Sequence, residues 1–293
     1  MKKTSFFIIG GDLRSVYLSK ALIKEGHEVK TFLLDNEKIG EGAKKAKSLK
    51  EVGLYENIIL PLPCCDANGY VKTAFSDEKV KLSEVTDAMS EGAVLIGGLV
   101  PKEEMLRAQE KKITVCDYYR REEFAVRNAA LTAEAAVAIV MEMLSESINS
   151  VPVLVIGHGR IGRLLSAMLK ALDAKVTVAA RRYSDLAWIR TEGMTPLEFR
   201  LIDEKIEGFK AVFNTVPAPV LTKERLVLMD RNTIIIDLAS EPCGTDFASA
   251  KELGITAKKA LGLPGKFAPK TAGEIVKDTV LNIITEREDE NGK

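Results

Sequence analysis

Three glycines stand at a spacing that can hold a phosphate group. Gly157, Gly159 and Gly162 form a G-x-G-x-x-G motif that follows the apolar run 153–156 and opens an amphipathic stretch. In this motif one glycine permits a tight turn, another lets the backbone approach a pyrophosphate, and the third allows helix and strand to pack closely. The helix start adds free N–H groups and a partial positive charge. The bare motif is weak evidence, but its place between strand and helix predicts a dinucleotide-binding turn.

The end of the next strand indicates which dinucleotide binds. An NAD-specific fold places an Asp or Glu about 20 residues beyond the first glycine, where the carboxylate binds the ribose hydroxyls. Here the segment KVTVAARRYS carries Arg181, Arg182 and Ser184 instead. A carboxylate would repel a 2′-phosphate, whereas a guanidinium group binds one through charged hydrogen bonds. We therefore predict NADP, with two solvated loop arginines as the alternative interpretation.

Polar residues at the predicted carboxyl ends of two further strands are candidate cofactor contacts, because ligands of open α/β sheets bind there. These segments are 214–217 and 237–239, and an ordinary turn is an equally good interpretation of either. The full set of predicted cofactor-binding residues is Gly157, Gly159, Arg160, Ile161, Gly162, Arg181, Arg182, Ser184, Asn214, Thr215, Val216, Pro217, Asp237, Leu238 and Ala239.

The chain offers few groups for acid-base catalysis. Its two histidines are His27, in a predicted helix-to-strand turn, and His158, the variable residue of the glycine turn, which would pack near the cofactor at best. A 2-hydroxy-acid dehydrogenase uses a His supported by a carboxylate, and neither position suits that role. No G-x-S-x-G, Walker or H-E-x-x-H sequence occurs. We assign no catalytic acid or base from the sequence.

Composition limits the class of protein. Lys+Arg and Asp+Glu both number 42, so the net charge is zero, whereas a nucleic-acid binder would show a basic excess. No uninterrupted apolar run approaches the roughly 18–20 residues of a membrane span. The four cysteines form neither a C-x-x-C pair nor a cluster with His, which argues against zinc and a disulfide framework. We expect a cytoplasmic protein without metal, nucleic acid or membrane among its partners.

Short apolar strands alternate with amphipathic helices along most of the chain, a pattern typical of parallel sheets covered by helices. We predict an α/β protein with two Rossmann-like domains, an interdomain cleft and a long crossover helix. The predicted parts are an N-terminal α/β domain at 1–126, the crossover helix at 127–149, an NADP-binding domain at 150–268 and a C-terminal helix at 269–293 that packs back on the first domain.

The first domain has a glycine turn of its own. The segment Ile9–Arg14 also lies between a strand and a helix, but it lacks the G-x-G-x-x-G spacing. We therefore expect a related turn that binds no nucleotide, with Asp12 as the cap of the following helix. Arg14 would face either a cleft or solvent, and the sequence favours neither.

Several segments outside the glycine motif are distinctive. They are IGGDLR at 9–14, TAFSDEKV at 73–80, YYRREEFAVRNAALTAEAA at 118–136, NTVP at 214–217, DLASEPCGTDF at 237–247 and GLPGKFAPKTAG at 262–273. With GHGRIG at 157–162, these segments resemble the dipicolinate synthase A chain family over nearly the whole chain. The last two are far more specific than the glycine motif.

The resemblance implies that a dihydrodipicolinate-type precursor is converted to dipicolinate, pyridine-2,6-dicarboxylate, with reduction of NADP, in sporulation. It also implies that a flavoprotein-like B subunit is the partner, and we expect homo-oligomers. Because the reaction forms an aromatic ring, the product is favoured, and holding the ring against the nicotinamide would supply much of the catalysis. The lack of a suitably placed His agrees with that reaction.

A dicarboxylate substrate needs cations or several N–H donors. The basic residues beside the crossover helix and in the 262–273 segment are candidates, although surface salt bridges explain them about as well. The predicted substrate-binding residues are Arg121 and Lys270 first, then Arg120, Arg127, Asn128 and Thr132. Two alternatives remain open for the whole protein: another NAD(P)-dependent amino-acid or hydroxy-acid dehydrogenase, and a non-catalytic dinucleotide sensor.

Overall fold

The computed structural model describes residues 3–39 and 42–291. The chain divides into two compact units, and each contains one parallel sheet. The first unit consists of Met1–Arg127 together with Ala268–Lys293, and the second unit consists of Asn128–Phe267.

In the first unit, apolar runs form a sheet in the order β3-β2-β1-β4-β5-β6, with all neighbours parallel. The strands are β1 (Ser5–Ile9), β2 (Glu28–Phe32), β3 (Lys44–Lys45), β4 (Asn57–Ile59), β5 (Val94–Gly97) and β6 (Thr114–Asp117). The helices are α1 (Leu13–Lys24), α2 (Leu82–Ala88), α3 (Lys102–Glu110) and α11 (Pro269–Asn291). Phe6 to Ile9 are buried on both faces of the sheet, as expected for a strand covered by helices on either side.

The second unit repeats this arrangement with a sheet in the order β9-β8-β7-β10-β11-β12. Its strands are β7 (Pro152–Ile156), β8 (Lys175–Ala180), β9 (Thr195–Glu198), β10 (Ala211–Asn214), β11 (Ile234–Asp237) and β12 (Thr256–Lys259). Its helices are α5 (Arg160–Ala171), α6 (Tyr183–Thr191), α7 (Ile202–Lys205), α8 (Lys223–Leu226), α9 (Phe247–Glu252) and α10 (Leu263–Phe267). The prediction of two Rossmann-like parallel sheets is confirmed.

Both sheets therefore have the strand order of dinucleotide-binding folds, in which the chain direction across the sheet reverses beside the first strand. The reversal lies between β1 and β4 in the first unit and between β7 and β10 in the second. A crevice at the carboxyl ends of these strands is where such sheets bind ligands. Each unit thus has one position at which a ligand is expected.

Helix α4 spans Glu122–Met143 and passes from the first unit into the second. The sequence predicted a helix over 127–149, so the helix begins earlier and ends sooner than expected. Glu122 and Glu123 favour the early start, because acidic residues in a first turn interact well with the helix dipole. The segment SESINS that follows Leu144 is rich in Ser and Asn, which favour turns.

By length and composition alone, α4 could cross a membrane, with a mean hydropathy of 1.4 over its most apolar 18 residues. The search for uninterrupted apolar runs overlooked it, because Glu134 and Thr132 break the run and alanine dominates the helix. Half of that window is buried inside the structure, and Ala133, Ala136 and Val140 belong to the core of the second unit. Core helices pass the same test, so this composition is weak evidence for a membrane span.

The C-terminal helix α11 packs on α1 within the first unit. The contact is close, because a Cβ atom at Gly273 would lie 2.6 Å from the carbonyl oxygen of Arg14 and 2.9 Å from the amide nitrogen of Leu18. An ion pair between Lys277 and Glu25 adds to the contact. The first unit thus combines the beginning and the end of the chain.

Candidate functional site

Two glycines of the 157–162 turn are required by the fold itself. Gly157 has a φ of +102°, and a Cβ atom there would lie 2.4 Å from the Thr215 hydroxyl oxygen. A Cβ atom at Gly162 would lie 2.1 Å from the carbonyl oxygen of Gly157, so no side chain fits where α5 passes the turn. These contacts reproduce the tight turn and the close helix packing that the motif predicts.

The middle glycine is different. Gly159 has ordinary extended angles, with φ −82° and ψ −164°, and an added Cβ would meet no described protein atom within 4 Å. Neither backbone conformation nor internal packing therefore requires glycine at this position. Gly159 is also the N-cap of α5, and its position provides no side-chain cap for the helix. The first turn of α5 thus begins beside open space, as a turn that admits a pyrophosphate does.

The ends of β10 and β11 are joined by a buried network. Asn214 and Asp237 have no solvent exposure, and the Asn214 amide nitrogen donates to Asp237 Oδ1 at 3.1 Å. The Asp237 carboxylate also accepts from the amides of Ala239 and Gly244 and from the Thr245 hydroxyl, at 3.0, 3.0 and 2.6 Å. Four donors satisfy the carboxylate, so these two side chains shape the loops.

The other predicted contacts on these loops differ in exposure. Pro217 is exposed, Thr215 and Val216 are half-buried, and Leu238 and Ala239 are buried. The Thr215 hydroxyl donates to the carbonyl of Ile156 at 2.9 Å, which ties the loop after β10 to the end of β7 beside the glycine turn. Residues 214–217 therefore lie next to residues 157–162, as the sequence predicted from their positions at strand ends.

The end of β8 carries the basic pair. Arg181 is exposed, its guanidinium carbon lies 4.6 Å from the centre of the Phe199 ring, and it makes no ion pair within 3–39 or 42–291. Arg182 binds Asp185 in a two-pronged ion pair at 2.8 and 3.0 Å, and this hydrogen bonding raises the pKa of Arg182. Ser184 is exposed in the first turn of α6. Arg181 is consequently the more available of the two arginines.

His158 does not project from the glycine turn. Its side chain is 1% exposed, and Nε2 lies 3.6 Å from a carboxylate oxygen of Glu192, beyond hydrogen-bond distance. Burial lowers the pKa of His158, although Glu192 acts in the opposite direction. The variable position of the motif is therefore part of the packing of the second unit.

The predicted substrate residues near α4 are mostly engaged within the protein. Arg121 binds Glu286 at 2.6 and 2.7 Å and Glu123 at 2.8 Å, and these hydrogen bonds raise its pKa. Arg127 binds Asp278 at 2.6 Å. These ion pairs connect the start of α4, or the segment before it, to α11 within the first unit.

Three further candidates are placed differently. Arg120 is largely exposed, and its Nε lies 3.5 Å from Asp117 Oδ2. Asn128 is half-buried, and its backbone carbonyl accepts a 2.9 Å hydrogen bond from the buried Thr132 hydroxyl. Lys270 is exposed in the first turn of α11 and has no ion pair in the described part of the chain.

The glycine turn of the first unit is built differently. Asp12 is the N-cap of α1 and accepts from the Arg14 amide at 2.9 Å, which confirms the predicted cap. Arg14 binds the same carboxylate through Nε and Nη2 and donates from Nη2 to the Leu62 carbonyl. A cavity of about 510 Å³ lies beside this turn, lined also by Lys72. Sequence reasoning left Arg14 undecided and missed Lys72, although IGGDLR and TAFSDEKV lie at or beside both.

A family model of the N-terminal domain of the dipicolinate synthase A subunit matches residues 5–119. The dipicolinate synthase A subunit of Bacillus subtilis is 32% identical over 292 residues, which cover 98% of this chain and 97% of that protein. The crystal structure of the dipicolinate synthase A chain from Bacillus subtilis superimposes with a TM-score of 0.89 at 30% identity, covering 99% of this chain and 98% of that one. The dipicolinate synthase A subunit from Bacillus halodurans gives 0.88 at 30%, covering 96% and 97%.

More distant structures share the fold alone. A transhydrogenase from Sinorhizobium meliloti has a TM-score of 0.69 at 16% identity and covers 96% of this chain and 94% of its own. An L-alanine dehydrogenase has 0.66 at 13%, with 96% and 90% covered. Dehydrogenases of this architecture agree with the strand order of both sheets.

Proposed function

This chain belongs to the dipicolinate synthase A chain family, and from that premise we propose that it is an NADP-dependent oxidoreductase that forms dipicolinate. Its substrate is a dihydrodipicolinate-type precursor, and its product is pyridine-2,6-dicarboxylate. The balanced step is loss of a hydride to NADP and of a proton to solvent, which leaves the aromatic ring and NADPH.

The observation that carries the proposal is Gly159. Its Cβ position opens onto space that no described protein atom occupies, while the glycines on either side are required by internal contacts. A glycine that the fold does not need is explained by a ligand that approaches the backbone, and the adjacent start of α5 favours an anion. The turn therefore fits the pyrophosphate of a dinucleotide.

The choice of NADP is supported by the end of β8. Ala180 ends the strand, and Arg181 and Arg182 follow it where an NAD-specific fold has a carboxylate. Arg181 is exposed with its guanidinium stacked over Phe199, which fixes the plane of the group while leaving its N–H edge for a phosphate. We assign the 2′-phosphate contact to Arg181 first and to Arg182 and Ser184 second.

The protein's own contribution is positioning. When bound, NADP supplies the hydride acceptor, and residues 157–162 and 214–217 hold it at the carboxyl edge of the sheet. Asn214 and Asp237 act as positioning residues, because their mutual hydrogen bond sets the two loops. Fixing two reactants in a reactive geometry can supply roughly 7–11 kcal/mol of a barrier, and no side chain of this site is assigned a proton transfer.

The earlier substrate candidates stay proposals of unequal strength. Arg121 and Arg127 would have to give up ion pairs to bind a carboxylate, and the Thr132 hydroxyl already donates to a backbone carbonyl. Arg120 and Asn128 make fewer contacts. Lys270, exposed and outside any ion pair of the described residues, is the strongest of this set.

The setting of the reaction follows the family. We propose a cytoplasmic enzyme of sporulation that assembles with copies of itself and works beside a flavoprotein-like B subunit. The names of its relatives describe one lettered component of the synthase, which supports the existence of another.

The test is turnover by the purified chain. We expect NADPH and pyridine-dicarboxylate absorbance to appear together, in equal amounts, when NADP and freshly generated dihydrodipicolinate are supplied. Gly159→Ala should abolish this signal without unfolding the protein, because the added methyl group meets no protein atom but enters the phosphate space. Absence of product from the parent chain, with and without the B subunit, would contradict the proposal.

A further inference from the structure

The cavity of the first unit lies at the carboxyl ends of β1 and β4, where its strand order reverses. Its volume of about 510 Å³ falls within the roughly 300–1,000 Å³ of small-molecule sites. The walls come from the turn after β1, from Pro61–Pro63 after β4, and from the segment 70–79. The fold thus places a second ligand-sized crevice at the reversal point of the first sheet.

Two distinctive sequence segments meet at this cavity. IGGDLR at 9–14 contributes Gly11, Asp12 and Arg14, and TAFSDEKV at 73–80 contributes most of the segment opposite. Neither segment belongs to the dinucleotide site of the second unit. Their convergence on one crevice indicates a separate role.

The role is not nucleotide binding. The amide of Gly11 donates to the carbonyl of Lys72 at 2.7 Å, and the amide of Ala74 donates to the carbonyl of Gly11 at 2.9 Å. A Cβ atom at Gly10 would lie 2.5 Å from that Lys72 oxygen. The chain itself therefore fills the space that a pyrophosphate needs, and Asp12 already caps α1.

Arg14 is held rigidly with part of its guanidinium unused. Nε and Nη2 donate to Asp12, and Nη2 also donates to the carbonyl of Leu62, while the side chain is only 19% exposed. Nη1 has no acceptor among the described residues, and Arg14 lines the cavity. Two N–H groups of a fixed cation are thus left for a ligand, since guanidinium has five donors.

Lys72 is fixed at its backbone and unpaired at its ammonium group. Its amide donates to the Cys64 carbonyl at 3.1 Å, and its carbonyl accepts from Gly11. Its side chain is exposed at the cavity and has no carboxylate partner in the described ranges. A lysine on an anchored strand-like segment, without an ion pair, presents a point charge at a defined place.

The remaining charges of the cavity are accounted for as follows. Asp12 is occupied by Arg14, and Asp66 accepts from the amides of Asn68 and Tyr70. Asp77, Glu78 and Lys79 are exposed, and Lys79 lies 5.9 Å from the centre of the Tyr70 ring. Pro61, Leu62, Pro63 and Val71 supply apolar wall. The interior therefore combines two cations with a surface suited to a flat ring.

We propose that this cavity binds the pyridine or dihydropyridine dicarboxylate, with Lys72 and Nη1 of Arg14 as carboxylate donors. This inference rests on the proposed function for the identity of the ligand. It moves the substrate-binding residues from the α4 and α11 set to the turn after β1 and the segment opposite it.

The test is calorimetric titration of the full-length protein with dipicolinate, beside an independent titration with NADP. We expect Lys72→Met and Arg14→Lys each to weaken dipicolinate binding by about tenfold or more, as the loss of a charge-assisted contact does, with NADP binding unchanged. Lys50→Met, an exposed lysine outside the cavity, is the matched control and should bind as the parent does. Picolinate, with one carboxylate, should bind more weakly than dipicolinate.

Three results would overturn the inference: no dipicolinate binding by the parent, parent-like binding by Lys72→Met and Lys72→Gln, or a loss confined to Lys270→Met. Circular dichroism checks that each variant is folded. The two proposals fail separately, because turnover without these binding effects contradicts only the cavity, whereas dipicolinate binding without turnover contradicts only the proposed reaction.

Discussion

The two sheets share one strand order, yet the glycine turns after their first strands are completed in opposite ways. In the first unit the chain supplies its own anion, the Asp12 carboxylate, at the start of α1, and the Lys72 carbonyl fills the remaining space. In the second unit Gly159 stands at the start of α5 with neither a side-chain cap nor a described neighbour for its Cβ position. The same backbone architecture therefore becomes a closed structural turn or an open phosphate site through a few residues.

The largest expected effect separates the roles of two glycines within one turn. Gly162→Ala places a methyl group 2.1 Å from a backbone oxygen and should lower the free energy of unfolding by about 3 kcal/mol or more. Gly159→Ala should leave that free energy within roughly 0.5 kcal/mol and remove NADP binding. Urea denaturation and NADP titration measure both. Equal stability losses would refute the distinction between packing and ligand space.

The next effect concerns the two arginines after β8. Arg181→Ala should weaken NADP binding by about 10- to 100-fold and change NAD binding little, because only NADP carries the 2′-phosphate. Arg182→Ala should have a smaller effect, since Asp185 already holds its guanidinium. Titration of each variant with both cofactors gives the ratio. Equal losses for NAD and NADP would rule out the phosphate contact.

The closed turn gives a smaller prediction. Asp12→Ala removes the cap of α1 and the partner of Arg14, at a cost of about 1–2 kcal/mol in the free energy of unfolding. Asp12→Asn keeps a cap and should recover part of that loss. Neither variant should gain nucleotide binding, because the Lys72 carbonyl still fills the space. A gain in NADP binding by Asp12→Ala would break the comparison.

The smallest effect is a pH dependence from the second turn. Burial lowers the pKa of His158 below its ordinary 6.5, so the unfolded chain binds a proton more readily than the folded one. This contribution to stability is complete above about pH 6.5 and is lost as the pH falls through the lowered value. His158→Gln should flatten the stability profile in that acidic range, measured by urea denaturation at several pH values. An unchanged profile would assign the acid sensitivity elsewhere.

Local patterns in the sequence predicted much of this structure. The apolar runs located the central strands, the G-x-G-x-x-G spacing located the open turn, and Asp12 was predicted as a cap from its place before α1. The edge strands β3 and β9 were missed, because Lys44–Lys45 is short and polar and Thr195–Glu198 contains a proline. Edge strands lack the continuous apolar signal of buried ones.

Contacts between distant segments could not be predicted. The ion pair of Arg121 with Glu286 joins residues 165 positions apart, and nothing near Arg121 in the sequence indicates it. Asn214 and Asp237 were predicted to contact the cofactor, but whether a polar residue at a strand end faces a ligand or a neighbouring strand depends on tertiary packing. Lys72 was missed for the same reason, since its anchoring depends on the turn after β1.

The position of α11 has a consequence for how the protein is made. The second unit is one continuous stretch, Asn128–Phe267, and can complete its core as soon as that stretch has left the ribosome. The first unit begins earlier but needs α11, whose Gly273 lies against the backbone of α1, and α11 is synthesised last. The half of the molecule translated first is thus the half that finishes folding last.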